Sequence, residues 1–305
     1  MVLMSLAALA APIVNGEKTD DYPSVVSLGL DAGSYSFSAC TANLISPRVL
    51  LTAAHCGAEI GEDLVAEFGV AFFGSDIWDA EQVIGFEDML IHPEYTPLEG
   101  NQLPTYDIAV IVLEEEPGVE PTRFRREALS ETDEGETLVS VGFGSTGSTG
   151  AGSGYKRVVE LPLSDYDEQF ALSKSPDSGD GQICSGDSGG PQFQIVDGQL
   201  VQLAIHSWGD TGCSRKSGST RTDIAAAWIL EQVEAAEGTG DVCHANGWYD
   251  DGVCDGYCDR FDLDCVGEGE LLESESGLLG CSSAAASGLG WLALLGVAGR
   301  RRRGD

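Results

Sequence analysis

Gly186-Asp187-Ser188-Gly189-Gly190-Pro191 puts a serine hydroxyl on a tight, glycine-flanked turn, where two backbone amides can point at one spot. Upstream, Leu51-Thr52-Ala53-Ala54-His55-Cys56 offers an imidazole, and Asp107-Ile108-Ala109-Val110 offers a carboxylate at the head of an apolar run. A serine hydroxyl is a weak nucleophile until a neutral imidazole takes its proton. The oxyanion that develops on an attacked carbonyl is unstable in itself, and backbone N–H groups aimed at it are worth about 3 kcal/mol each. Acyl transfer is therefore the chemistry these residue types could perform together. Taken singly, each has a plainer reading: Gly-x-Ser-Gly-Gly also makes an ordinary turn, and a His-Cys pair also occurs as buried structure.

In the order His, Asp, Ser, after an Ile13-Val14-Asn15-Gly16 start, these segments closely resemble the chymotrypsin-like (trypsin-like) serine proteases over roughly residues 13–235. The resemblance implies that Ser188 is the nucleophile, that His55 is general base and then general acid, and that Asp107 holds the imidazole tautomer. It places the oxyanion hole at the amides of Gly186 and Ser188, and pairs a freed Ile13 ammonium with Asp187. The resemblance also implies that catalysis requires no cofactor and that no metal belongs to this site. An α/β-hydrolase esterase is disfavoured, because that fold places Ser before Asp and His along the chain.

By the same resemblance the floor of the substrate pocket falls at Gln182, with Ile183, Ser207, Trp208, Gly209 and Gly218 around it. A neutral amide cannot pair a substrate Lys or Arg, so an apolar or aromatic side chain before the scissile bond (P1) is expected. Asp210 near the rim is the one group that would favour basic substrates. Cys40 with Cys56 and Cys184 with Cys213 match the family's bridges, and the stretch from Asp165 to Gln182 has no cysteine for its common third. No Arg or Lys precedes Ile13, so a signal peptidase or a dipeptide-trimming protease would open the Pro12–Ile13 bond.

Such residues need a frame. Val25 to Leu28, Val49 to Leu51, Ile108 to Leu113, Leu138 to Val141 and Leu200 to Ile205 are short apolar runs between turn-forming residues, the pattern of an all-β sandwich or barrel. The resemblance implies two six-stranded Greek-key β-barrels with a C-terminal helix. Asp223 to Glu237 reads as that helix, capped by Asp223, with Ile224, Trp228, Ile229 and Val233 as its apolar stripe. Gly142 to Gly154 reads as a mobile surface loop.

The 305 residues are ample for a core, and the 40 glycines favour turns over long helices. A net charge of −34 repels nucleic acid and other polyanions. Nine cysteines suit an exported protein. Residues 1–12 read as a signal or propeptide remnant ending near Ala8-Leu9-Ala10-Ala11, and 13–237 as the protease domain. Residues 238–242 read as a linker and 243–265 as a small cysteine-rich module holding Cys243, Cys254, Cys258 and Cys265. The module is either a disulfide-stapled spacer or a Ca²⁺ site using some of Asp250, Asp251, Asp255, Asp259, Asp262 and Asp264. Zn²⁺ fits less well, because exported cysteines pair with each other. After an acidic linker (266–280), residues 281–305 combine Cys281, an apolar stretch and Arg300 to Arg303. They resemble the C-terminal sorting tails of myxobacterial surface proteins, which would bring membrane contact before processing. The whole reads as a secreted or cell-surface serine endopeptidase, not Arg/Lys-specific, acting on protein or peptide substrates. The alternative is a non-catalytic surface adhesion or binding protein on a protease scaffold.

Overall fold

Val, Ile and Leu recur in runs too short for helices, and the chain folds them into strands. The computed structural model describes residues 13–14, 16–31, 36–60, 69–147, 150–175, 181–196 and 198–249, with Asp251, Cys258, Arg260, Asp262 and Cys265. After β1 (Glu17–Lys18) come β2 (Val25–Asp31), β3 (Ser36–Ser46), β4 (Val49–Thr52), β5 (Gly69–Phe73), β6 (Gln82–Ile91) and β7 (Ala109–Leu113). Strands β2 to β7 close into a barrel in the order β2-β3-β4-β7-β6-β5, every pair antiparallel. Every residue of β4 and β7 is buried, because one face fills the barrel and the other is covered. Closure also removes the exposed strand edges that would invite aggregation.

The second half contains β8 (Arg123–Phe124), β9 (Thr137–Gly142), β10 (Arg157–Pro162), β11 (Asp165–Tyr166), β12 (Phe170–Lys174), β13 (Pro191–Val196), β14 (Gln199–Gly209) and β15 (Lys216–Arg221). Its sheet runs β1-β10-β9-β13-β14-β15-β12-β11, with β8 beside β14. Without the two-residue strands β1, β8 and β11, six strands remain. Their order repeats that of the first barrel, except that β10 and β12 are neighbours without hydrogen-bonded pairing.

The C-terminal helix starts later than its sequence suggests. A 3-10 turn spans Asp223–Ala225, and the α-helix runs from Ala226 to Glu237 (α2, after α1 at Ala54–Ile60), ending on Gly238 in the left-handed region at φ 75°. Asp223 is no cap, because its carboxylate is held by Arg221 at 2.6 and 3.0 Å. Ile229 and Val233 bury fully against the first barrel, while Ile224 and Trp228 pack at its margin.

The cysteine-rich segment does not begin as a separate unit. Val242, Cys243 and Trp248 lie in the same buried cluster as Ile229, Val233 and the first barrel. The short helix α3 (Val242–Asn246) is capped by Asp241, and Asn246 Nδ2 donates to the Ile45 carbonyl at 3.1 Å. Cys243 is bonded to Cys258. Cys265 is disulfide-bonded too, while Cys254 lies outside the described residues. The first part of Gly142 to Gly154 also departs from expectation, since Gly142 to Gly144 are buried in the interior.

Candidate active site

Each candidate group hangs from a different strand end. β4 is followed directly by α1, which presents His55; Asp107 sits just before β7; Ser188 lies on the turn that leads into β13. Because β4 and β7 are neighbours in the barrel, pairing Thr52 with Ala109, the imidazole and the carboxylate meet across one ladder. Asp107 is wholly buried. Its Oδ1 accepts the His55 backbone N–H at 2.9 Å, and its Oδ2 lies 2.8 Å from His55 Nδ1. A carboxylate only accepts, so this contact places the ring proton on Nδ1 and leaves Nε2 with its lone pair. Asp107 Oδ2 also accepts the Ser207 hydroxyl at 2.6 Å. The aspartate is thus gripped by three donors from two halves of the chain.

Tyr106, immediately before Asp107, occupies the left-handed region at φ 45°. Its N–H donates to Gln169 Oε1 at 3.0 Å, and its ring stacks on His92 at 4.6 Å. Strain of this kind costs about 1–3 kcal/mol and persists only where neighbours over-determine it. Here it turns the chain so that Asp107 faces inward.

The Ser188 turn is tied to the first barrel through Thr41. The Thr41 N–H donates to the Ser188 carbonyl at 2.8 Å, and its hydroxyl donates to the Gly186 carbonyl at 2.9 Å. Cys40, one residue earlier, is bonded to Cys56 beside His55. The Ser188 carbonyl lies 3.7 Å from Cys56 Sγ, and that sulfur is within 4.8 Å of a His55 ring nitrogen. One disulfide therefore joins the histidine helix to the strand that holds the serine turn. Gly189 has φ 80°, and a Cβ there would collide with the Thr52 hydroxyl and the Thr41 carbonyl. Among the described residues, neither the Gly186 nor the Ser188 N–H donates a hydrogen bond, which leaves both free for a ligand.

Asp187 points the other way. It is fully buried, and it accepts the N–H groups of Gly144 and Cys184, each at 2.8 Å. Burial pushes its pKa up to about 7, despite those donors and the field of Arg157. Gly144 is glycine for this reason, since a Cβ would run into the Asp187 carboxyl. Ile13 is buried against Val159, Leu161 and Ile183, and Val14 exchanges backbone hydrogen bonds with Gln182 at 3.1 and 3.0 Å.

Beside Ser188 opens a pocket of about 230 Å³ lined by Ile183, Cys184, Ser185, His206, the strand Ser207-Trp208-Gly209, Asp210, Thr211 and Cys213. The Cys184–Cys213 disulfide frames it. Gln182 and Gly218, expected in the pocket, are not among its lining residues. Gln182 is sealed beneath, its Oε1 accepting from Ser217 Oγ at 2.7 Å and Ile183 N–H at 3.0 Å. Gly218 lies under the Trp208 indole, where a Cβ would clash with the ring. Asp210 lines the pocket, where the N–H groups of Gly212, Ser214, Arg215 and Lys216 donate to it and, against the effect of burial, lower its pKa to about 2, so that it stays ionised.

Sequence reasoning missed His206, which lines the pocket, and the second role of Ser207 as a donor to Asp107. His206 carried a signal, as one of only four histidines in the chain, closing the apolar run Leu200 to Ile205. The only group of His, Cys, Asp or Glu residues among those described that could hold a metal is Cys40, His55 and Cys56, and its two thiols are bonded to each other. Most of the aspartates considered for Ca²⁺ lie outside the described residues, as do Cys281 and the apolar tail. No helix among the described residues is long and apolar enough to cross a membrane.

The family described as Trypsin matches residues 13–229. A trypsin of Simulium vittatum is 29% identical over 232 residues, covering 69% of this chain and 87% of that protein. Serine protease 7 of Drosophila melanogaster is 32% identical over 229 residues, covering 64% of this chain and 57% of its own. The suppressor of tumorigenicity 14 protein homolog of Bos taurus is 26% identical over 257 residues, covering 72% of this chain and 28% of its own. The chain thus spans most of the first relative's length, about half of the second's and about a quarter of the third's.

Proposed function

The chain belongs to the trypsin family and is a serine-type endopeptidase, and from that premise we propose that His55, Asp107 and Ser188 cut peptide bonds through an acyl-enzyme. His55 Nε2 takes the proton from Ser188 Oγ as that oxygen attacks the scissile carbonyl. The N–H groups of Gly186 and Ser188 receive the oxyanion. The imidazolium is steadied by Asp107 and passes its proton to the leaving amine. Water, activated by the same imidazole, then hydrolyses the ester and restores the serine. The observation that carries this reading is the buried Asp107 carboxylate, which holds His55 through both backbone and ring beside a serine turn with two unengaged amides.

Activation follows from Asp187. With Ile13 still in peptide linkage, this buried carboxyl has two amide donors and no cation within hydrogen-bonding reach among the described residues. Freeing the Ile13 ammonium would supply one, a reading supported by the burial of Ile13 against Val159, Leu161 and Ile183 and by the pairing of Val14 with Gln182. The disulfides support an exported enzyme. The reading of Cys281 and the arginine-ended tail as a sorting segment that anchors or releases the enzyme rests on sequence alone.

A fluorophosphonate probe with mass-spectrometric mapping tests the catalytic reading. Labelling at Ser188 in wild-type protein, abolished in Ser188→Ala and His55→Ala, is the expected result. An unlabelled Ser188 in protein beginning at Ile13 would leave a non-catalytic adhesion or binding scaffold in its place.

A further inference from the structure

Asp107 is carried by the first barrel, yet the second barrel reaches it at two points. Ser207, in β14, donates to its carboxylate at 2.6 Å. Gln169, on the turn between β11 and β12, accepts the N–H of Tyr106 through Oε1 at 3.0 Å, one residue before the acid.

The segment between these contacts is bent sharply. Tyr106 sits in the left-handed region at φ 45°, which a tyrosine adopts only when its neighbours hold it there. The Ile108 N–H donates to the Tyr106 carbonyl at 2.7 Å, so Asp107 is the centre of a three-residue turn. His92 donates its N–H to the Ile108 carbonyl at 3.0 Å and stacks its ring on Tyr106, while Trp228 of α2 meets the His92 ring edge-on at 4.9 Å. These contacts come from the first barrel and the C-terminal helix. The Tyr106 N–H is where the strained residue is tied to the second barrel.

Gln169 is itself anchored. Its N–H and that of Phe170 donate to Asp167 Oδ1 at 2.8 and 2.7 Å, and its carbonyl accepts the Arg221 N–H at 3.0 Å. The Arg221 guanidinium in turn grips the Asp223 carboxylate and the Asp167 carbonyl. The carboxamide therefore projects from a turn whose backbone is held on both sides.

Deepening the triad reading above and resting on it, we propose that Gln169 is a positioning residue for the triad's acid: by accepting the Tyr106 N–H, it stabilises the strained turn that aims the Asp107 carboxylate at His55 Nδ1. With Ser207 on the carboxylate and Gln169 on the preceding peptide, the direction of Asp107 is set by how the two barrels dock. Gln169 is not among the residues lining the pocket beside Ser188, so it acts on turnover rather than on substrate binding.

The test is steady-state kinetics on disulfide-intact enzyme beginning at Ile13, with a fluorogenic peptide selected on the wild type and phosphonate titration to count competent sites. Gln169→Met is close in size but lacks the acceptor oxygen. It should lower kcat per titrated site about tenfold and leave KM within about twofold. The acidic limb of its kcat/KM–pH profile should move to lower pH, because a carboxylate held less closely favours the imidazolium less. Gln169→Glu keeps an acceptor oxygen and should recover most of kcat, with the limb no lower than in the wild type. Wild-type kcat in Gln169→Met overturns the inference. So does a loss that leaves the pH profile unmoved or that Gln169→Glu does not relieve. Should Gln169→Met fail to fold, the wild-type protein decides alone: its Tyr106 amide should exchange hydrogen as slowly as those of β7, and exchange at the rate of an open loop overturns the inference. A titratable wild-type Ser188 leaves the triad reading standing in each of these cases, whereas an untitratable one overturns both.

Discussion

Replacing Asp187 by Asn in a Ser188→Ala chain that still carries residues 1–12 should remove a specific pH dependence of stability. In that chain the Asp187 carboxyl is shut away from water with two amide donors, and its pKa rises from 3.8 to about 7. Between those values the folded chain keeps a proton that the unfolded chain has released. Stability therefore falls as pH rises from about 4 to about 7, and the loss is complete above that range. A rise of roughly three pH units at about 1.4 kcal/mol each is about 4 kcal/mol, a large share of a domain's net stability. Urea unfolding at pH 4, 5.5 and 8, with disulfides intact, reads the effect. The quantity that matters is the difference between the parent chain and its Asp187→Asn variant, in which the contribution of every other ionisable group cancels. The introduced carboxamide accepts one amide where Asp187 accepted two, but that cost does not vary with pH. The parent chain should lose about 4 kcal/mol more than the variant between pH 4 and 8. In protein beginning at Ile13 the gap should shrink or change sign, because an ammonium beside the carboxylate pulls its pKa back down. Parallel pH curves for the two uncut chains would refute the reasoning.

Ser207→Ala removes the 2.6 Å donor to Asp107 and should lower kcat by about 10- to 100-fold, the worth of a hydrogen bond to a charged group, when measured on a P1-matched peptide. Asp107→Asn should lower kcat about 10⁴-fold, as expected when the imidazole adopts the wrong tautomer, with near-unchanged thermal unfolding as the control. Cys40→Ala with Cys56→Ala opens a crosslink between residues 16 apart and should cost about 3 kcal/mol in denaturant unfolding, with slower labelling of Ser188. Trp248→Ala should cost about 3–5 kcal/mol if the cysteine-rich segment is part of the barrel core, and hydrogen exchange should quicken in both α3 and the facing residues of α2.

The candidate catalytic residues were legible because their chemistry is carried by local strings. Thr-Ala-Ala-His-Cys and Gly-Asp-Ser-Gly-Gly each need their neighbours for a tight turn or a packed helix start, so the constraint is written within a few residues. The pocket was read less well. Gln182 and Gly218 were assigned to it by position, yet whether a side chain faces a cavity depends on strand register. Ser217 bonds the Gln182 amide from below, and Gly218 falls under Trp208. Gly142 to Gly144 looked like loop for a similar reason, since glycine serves both an open turn and a close approach to a buried carboxyl.

Local order and chemistry belonged to the string of residues alone: the apolar periods of the strands, the sequence His, Asp, Ser, and the cysteines near two of them. Folding decided what faces what. It brought Asp107 under three donors, shut Asp187 away with no cation in hydrogen-bonding reach among the described residues, and tied the backbone of His206 to the serine turn. Those are properties of burial and direction in three dimensions, where residues distant along the chain supply or withhold a partner, and no short stretch of sequence records them.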